Sequence, residues 1–214
     1  MAFHTTRWTL IDAAKRGDAS ALDALLERYR APVVGYLRRS GFGDADAEDL
    51  TQDVFVRLYQ RVLPSAEAAR GRFRSLLLTV TKNVALEHLR RAQAQKRGGQ
   101  HAHVPLDDAV IPTLQEDSVF DREWLGHLLT RALTRLEQEH PNYHAALSGT
   151  LLDELSYAEV AERLGATVTD VRNHVHRGKQ KLSGYLRAEV RLYAADPKEH
   201  EAEVALLNGL LGGS

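Results

Sequence analysis

The stretch "LSYAEVAERLGATVTDVRNHVHRGKQKL", residues 155–182, contains two helix starts, one helix stop and a surplus of basic and amide side chains. Ser156 followed by Glu159 is a capping box: the hydroxyl accepts from the amide three residues on, and the carboxylate reaches back to the cap amide. Val160, Ala161 and Leu164 supply an apolar face, and Gly165 permits the left-handed residue that ends a helix. Thr167, with Asp170 three residues later, can cap the next helix. Val171, Val175 and Leu182 would hold that second helix to a domain, with Arg172, Asn173, His176, Arg177 and Lys179 left pointing outward. Such a helix suits a DNA major groove, because Arg pairs bidentately with guanine and Asn with adenine. Taken alone, the pattern also fits a helical hairpin with a solvated basic face.

A basic helix sits oddly in a chain whose 214 residues carry a net charge of only −1. The average hides segregation. From Arg70 to Arg97 eight basic residues stand against Glu87 alone, a net +7, and from Val168 to Arg191 six stand against two, a net +4. Acid gathers in "GDADAEDLTQD" (43–53) and "LDDAVIPTLQEDSVFDRE" (106–123). Two basic islands in an acidic setting point to two separate surfaces for polyanions. The absence of Cys excludes disulfides and thiolate zinc sites. The stretch "MAFHTTRWTLIDAAKRGD" has neither a long apolar run nor a cleavage site, so no signal peptide or membrane span is expected, and the expected location is the cytoplasm.

Helical periodicity dominates. Leu22, Leu25, Leu26 and Tyr29 fall at i, i+3, i+4 and i+7, Leu50, Val54 and Leu58 repeat every four, and Phe73, Leu77, Val80 and Val84 continue the theme. Breaks fall at Gly17-Asp18, at "SGFGDAD" (40–46) and around Pro64. Residues 95–117 lack a helical face and carry Gly-Gly and two prolines, which makes them the best linker. The expected fold is therefore all-α: a helical domain over 1–94, a flexible linker over 95–117, a helix-turn-helix domain over 118–191, and an extension over 192–214 with a short apolar run.

The stretch "DAEDLTQDVFVRLYQR" (46–61) places Asp49, Gln52 and Asp53 on one helical face, and "RGRFRSLLLTVTKNVALEHLRR" (70–91) follows with a basic edge. In that order, ahead of the helix-turn-helix, these stretches resemble the extracytoplasmic-function group (group IV) of the sigma-70 family of bacterial transcription initiation factors. The resemblance covers about residues 8–191. It implies that Glu48, Asp49, Gln52, Asp53 and Phe55 dock on a coiled coil of the RNA polymerase β′ subunit. Phe73, Arg74, Leu76 and Leu77 would open the part that melts the −10 promoter element, with Leu76 where the family often has Trp. Arg72, Arg74, Lys82, Asn83, Glu87, Arg90 and Arg91 would bind the separated strand, and the loop near Ser65–Arg72 would capture an extruded base.

In the same resemblance the second helix reads the −35 element as duplex, through Thr169, Arg172, Asn173, His174, His176, Arg177, Lys179 and Lys181. Asn173-His174 stands where the family usually has Ser-Arg. The implied partners are the polymerase core (β′ and β subunits), promoter DNA, and an anti-sigma factor or other regulatory protein. Independently of the family, strand capture needs positive charge and small polar groups that read base edges, and Asn83, Glu87, Arg90 and Arg91 form a helical stripe of that kind.

No nucleophile setting such as G-x-S-x-G and no Gly-rich phosphate loop after a strand is present, so neither catalysis nor a cofactor is expected. His101 and His103 have metal-compatible spacing but no adjacent acidic or Cys partner, and no metal site is expected. The other readings of the residues are a helix-turn-helix regulator that binds duplex DNA without polymerase, and a helical enzyme acting on nucleic acid. A palindromic target would favour the first and metal-dependent cleavage the second.

Overall fold

A computed structural model describes residues 6–65, 73–96 and 117–193, together with 201, 204 and 205. Among the described residues all regular structure is helical. The base-capturing loop after Ser65, Arg72, residues 97–116 of the linker with its two histidines, and most of the extension lie outside them. Packing divides the chain into two units, residues 1–125 and 126–214.

In the first unit, α1 (Thr6–Lys15) ends at Gly17, whose φ of 86° is left-handed. Asp18 then caps α2 (Ala19–Arg39), accepting from the Ser20 and Ala21 amides at 3.0 and 3.2 Å. The Ala21 amide, then the Ser20 hydroxyl and amide, hold the Asp18 carboxyl below the usual carboxylate range. The break at 40–46 is a turn through Gly41 (φ 94°) into α3 (Asp44–Arg57), whose first turn carries Asp44 and Asp46 at the positive end of the helix dipole. A π-helical turn (Leu58–Val62) and a 3₁₀ turn (Leu63–Ser65) follow, and α4 (Phe73–Lys96) completes the bundle.

The expected apolar stripes meet in this core. Leu50, Val54 and Leu58 are buried, as are Phe73, Leu77, Val80 and Val84, while Tyr29 places its ring 5.2 Å from that of Phe73. Of the α2 stripe, Leu25 and Tyr29 are buried, and Leu22 and Leu26 are half-buried. Pro32 lies inside α2 and is buried.

Helix α5 (Asp117–Glu139) crosses the division between the units. In the second unit its remainder packs with α6 (Pro141–Leu151), α7 (Tyr157–Leu164) and α8 (Val168–Tyr193). Leu128, Ala132, Leu136, Leu147, Val160, Val171, Val175, Leu186 and Val190 form its core. Arg131 and Glu189 pair at 3.1 Å, and the Arg135 guanidinium lies 4.3 Å over the Tyr185 ring, so α5 is tied to the far end of α8. The Tyr185 hydroxyl donates to Glu139, whose carboxyl is held below its usual range by that bond and by Arg135.

Candidate functional site

The helix-turn-helix is built as its sequence directs. The Ser156 hydroxyl accepts from the Glu159 amide at 3.3 Å and the Glu159 carboxylate accepts from the Ser156 amide at 2.8 Å. Gly165 closes α7 at φ 59°, ψ 34°. Thr167 and Asp170 repeat the reciprocal arrangement at the start of α8, with 3.1 and 3.2 Å bonds. Both acids titrate below their ordinary values: Glu159 through the Ser156 side chain and amide, Asp170 through those of Thr167. Val171 and Val175 face inward and are buried, and Leu182 is half-buried.

The outward face of α8 is broad. Thr169, Arg172, Asn173, His176, Arg177, Lys179 and Lys181 are all exposed. At 3.6 residues per turn the centre of the face, opposite the buried valines, falls on Thr169, Asn173, His176 and Gln180. Gln180 was not among the expected residues. Its amide sits 3.0 Å from the His176 ring. His174, expected among the residues that read the −35 element, is half-buried, its ring 5.4 Å from that of Tyr143 on α6. A second unforeseen residue is Gly178, which is buried under α6. A Cβ there would come within 2.8 Å of Leu147 Cδ1 and 3.3 Å of Tyr143 Cβ, so the helices approach this closely only over glycine.

On the first unit, Asp49, Gln52 and Asp53 are exposed on one face of α3. Val56 continues that stripe at i+3 from Asp53 and is 52% exposed, unusual for valine. Phe55, expected with the acidic residues, is turned the other way and is 8% exposed. One position from Val54, it is buried and serves the core. Glu48 is half-buried and pairs with Arg30 at 2.6 Å and Arg38 at 3.9 Å, so it ties α3 to α2.

The basic helix α4 is already engaged. Arg74 is 6% exposed, its Nε 3.2 Å from Asp121 and its guanidinium 4.3 Å over the Trp124 ring. Lys82 pairs with Asp117 at 2.6 Å. Glu87 joins Arg57 of α3 at 2.6 Å and also pairs with Arg91; the Arg57 bond is the chief cause of its lowered carboxyl pKa. Asn83 and Arg90 are exposed. Asp117, Asp121 and Trp124 all come from residues 117–125 of α5, which belong to the first unit. In the same segment Phe120 packs edge-on against Tyr36 at 5.7 Å and Glu123 pairs with Arg39. Burial, and then the nearby Asp117, push the Tyr36 hydroxyl well above its usual pKa.

Among the described residues no group of three His, Cys, Asp or Glu is placed to hold a metal, and no helix is long and apolar enough to cross a membrane.

Comparison with known proteins follows this division of labour. The model of sigma-70 region 2 matches residues 25–95, and that of sigma-70 region 4 matches residues 127–182. The chain is 31% identical over 176 residues to the ECF RNA polymerase sigma factor SigE of Mycolicibacterium smegmatis, covering 79% of this chain and 64% of that protein. It is 25% identical to SigW of Bacillus subtilis, over 83% of this chain and 95% of the relative. It is 27% identical to BldN of Streptomyces coelicolor, over 85% and 66%. Both are likewise named ECF RNA polymerase sigma factors. Among solved structures, a chain of an RsbN–BldN complex aligns with a TM-score of 0.34 and 22% identity, over 81% of this chain and 96% of that one, a likeness too loose to carry an argument. With regions 2 and 4 matched in order, each on one packed unit, the chain belongs to the extracytoplasmic-function group of the sigma-70 family, whose members are RNA polymerase sigma factors and not enzymes.

Proposed function

We propose that this chain binds the RNA polymerase core in the cytoplasm, directs it to promoters and helps to open them, with no active site of its own. In this reading the α3 stripe Asp49–Gln52–Asp53, extended by Val56, docks on the β′ subunit. Asn83, Arg90, Arg91, Lys82 and Arg74 on α4 serve the separated −10 strand, and the outward face of α8 reads the −35 duplex.

One observation carries the reading: a helix-turn-helix with an open basic face shares its chain with an exposed acidic stripe that contributes nothing to its own core. A regulator acting without polymerase needs the first feature and has no use for the second. Charge-complementary surfaces of this kind raise association rates and exclude wrong partners. The restraining partner is proposed by class only, as an anti-sigma factor or other regulatory protein.

The test is run-off transcription with purified bacterial core polymerase on a randomised promoter library. The expected result is a set of transcripts sharing an upstream and a downstream element. Absence of transcripts, together with core-independent binding to a palindromic duplex, would favour a helix-turn-helix regulator.

A further inference from the structure

Two of the cations that α4 would offer to a DNA strand, Arg74 and Lys82, are held by one short segment. Asp117, Asp121 and Trp124 repeat at i, i+4 and i+7 along the start of α5, and so share one helical stripe. Asp117 reaches Lys82, Asp121 reaches Arg74, and the Trp124 ring lies under the Arg74 guanidinium. The seat is also apolar: Trp124 and Phe120 are fully buried and Val119 nearly so.

We propose that residues 117–125 are a built-in competitor for the promoter strand, with Asp117 and Asp121 standing where backbone phosphates would stand. The proposal rests on the reading of α4 as the strand-binding helix. A phosphate cannot reach Arg74 while Asp121 and Trp124 enclose it. Strand capture therefore proceeds by exchange, phosphate for carboxylate, and the start of α5 leaves its seat as the strand arrives. In free protein the segment holds down DNA affinity. Once polymerase presents a melted strand at high local concentration, the exchange favours DNA.

The experiment uses the full-length chain and a fluorescein-labelled, random-sequence single-stranded DNA followed by anisotropy at low salt. Asp117→Asn with Asp121→Asn should bind about tenfold more tightly than wild type. A charge-matched control, Asp23→Asn with Asp46→Asn, removes two exposed carboxylates elsewhere on the same unit and should shift affinity by less than about twofold. Equal tightening in both variants would mean that only net charge changed, and would overturn the proposal.

A second readout needs no change in the clasp. Trp8→Phe leaves Trp124 as the single tryptophan, and its emission should move to the red as DNA saturates the chain. Bound DNA with unmoved Trp124 emission would show that clasp and strand coexist, and would also overturn the proposal. Run-off transcription separates the two levels. If it succeeds while Asp117→Asn/Asp121→Asn gains nothing over the control, the competitor falls and the sigma-factor reading stands. If it fails, both fall.

Discussion

Helices α4 and α8 are both basic, both long, and both assigned to DNA, yet they present their charges in opposite ways. On α4, Arg74 and Lys82 are in ion pairs and Arg91 is paired through Glu87. On α8, Arg172, Arg177, Lys179 and Lys181 are exposed and, among the described residues, make no ion pair. In the proposed reading, the difference matches what each helix would meet. A duplex is always available, so a reader of duplex gains from a face that stands ready in position. A single strand exists only after melting, so its binding surface loses little by being occupied until then. α8 can afford a plain cap-and-core construction, whereas α4 depends on contacts made by residues distant in sequence.

The sharpest way to break this contrast is to ask whether α8 reads bases or merely holds phosphates. Arg172→Ala should cost about 1–3 kcal/mol at a matched −35 duplex and relax preference at one or two base pairs. Lys181→Ala, on the flank of the face, should weaken every sequence alike and lower the salt slope by about one. Anisotropy of holoenzyme on matched and scrambled duplexes at several salt concentrations checks both. If Arg172→Ala behaves like Lys181→Ala, α8 is a phosphate clamp.

A second substitution tests whether the open face depends on how α8 is seated. Gly178→Val would drive a branched side chain into Leu147 and Tyr143, and overpacking of this kind costs about 1–3 kcal/mol. Urea unfolding should show the loss, and duplex binding should fall with it. An unchanged midpoint would mean that α6 yields easily.

The smallest expected effect separates the caps of α7 and α8 from the ties of α4. The folded-state pKa values of Glu159 and Asp170 lie below the ordinary ones, so their contribution is complete above the ordinary carboxylate range and is lost as pH falls through the folded values. Ser156→Ala with Thr167→Ala should lower Tm by roughly 3–6 °C at neutral pH and flatten the acid side of the Tm–pH curve. The slope that remains should include Glu87, whose depression comes first from Arg57 and is untouched by these changes. An acid slope identical to wild type would show that the two caps do not carry it.

What could be read from the sequence divides along the same line. Ser156, Glu159, Gly165, Thr167 and Asp170 are local devices whose partners lie within a few residues, and spacing alone exposed them. The stripes through Leu50 and Phe73 were legible because a helical period is a one-dimensional signal. Phe55 was not, because the acidic motif that surrounds it says nothing of which way one side chain turns. The burial of Arg74 was hidden because its partners stand some fifty positions away and no periodicity links them. Periodicity also runs through α5 without a break, so it could not show that residues 117–125 pack with the first unit. Gly178 needed a partner helix before its lack of a side chain had meaning.

The claim on which all else rests is that α3 presents a polymerase-binding surface. Its most direct test is the affinity of labelled full-length chain for purified core polymerase, for wild type and for Asp49→Lys with Asp53→Lys. Both carboxylates are exposed, and close charge pairs across an interface couple by about 1.5–7 kcal/mol. The account predicts at least about a tenfold loss of core affinity, with the helical circular dichroism spectrum retained. Undiminished core affinity in a folded double variant would contradict it.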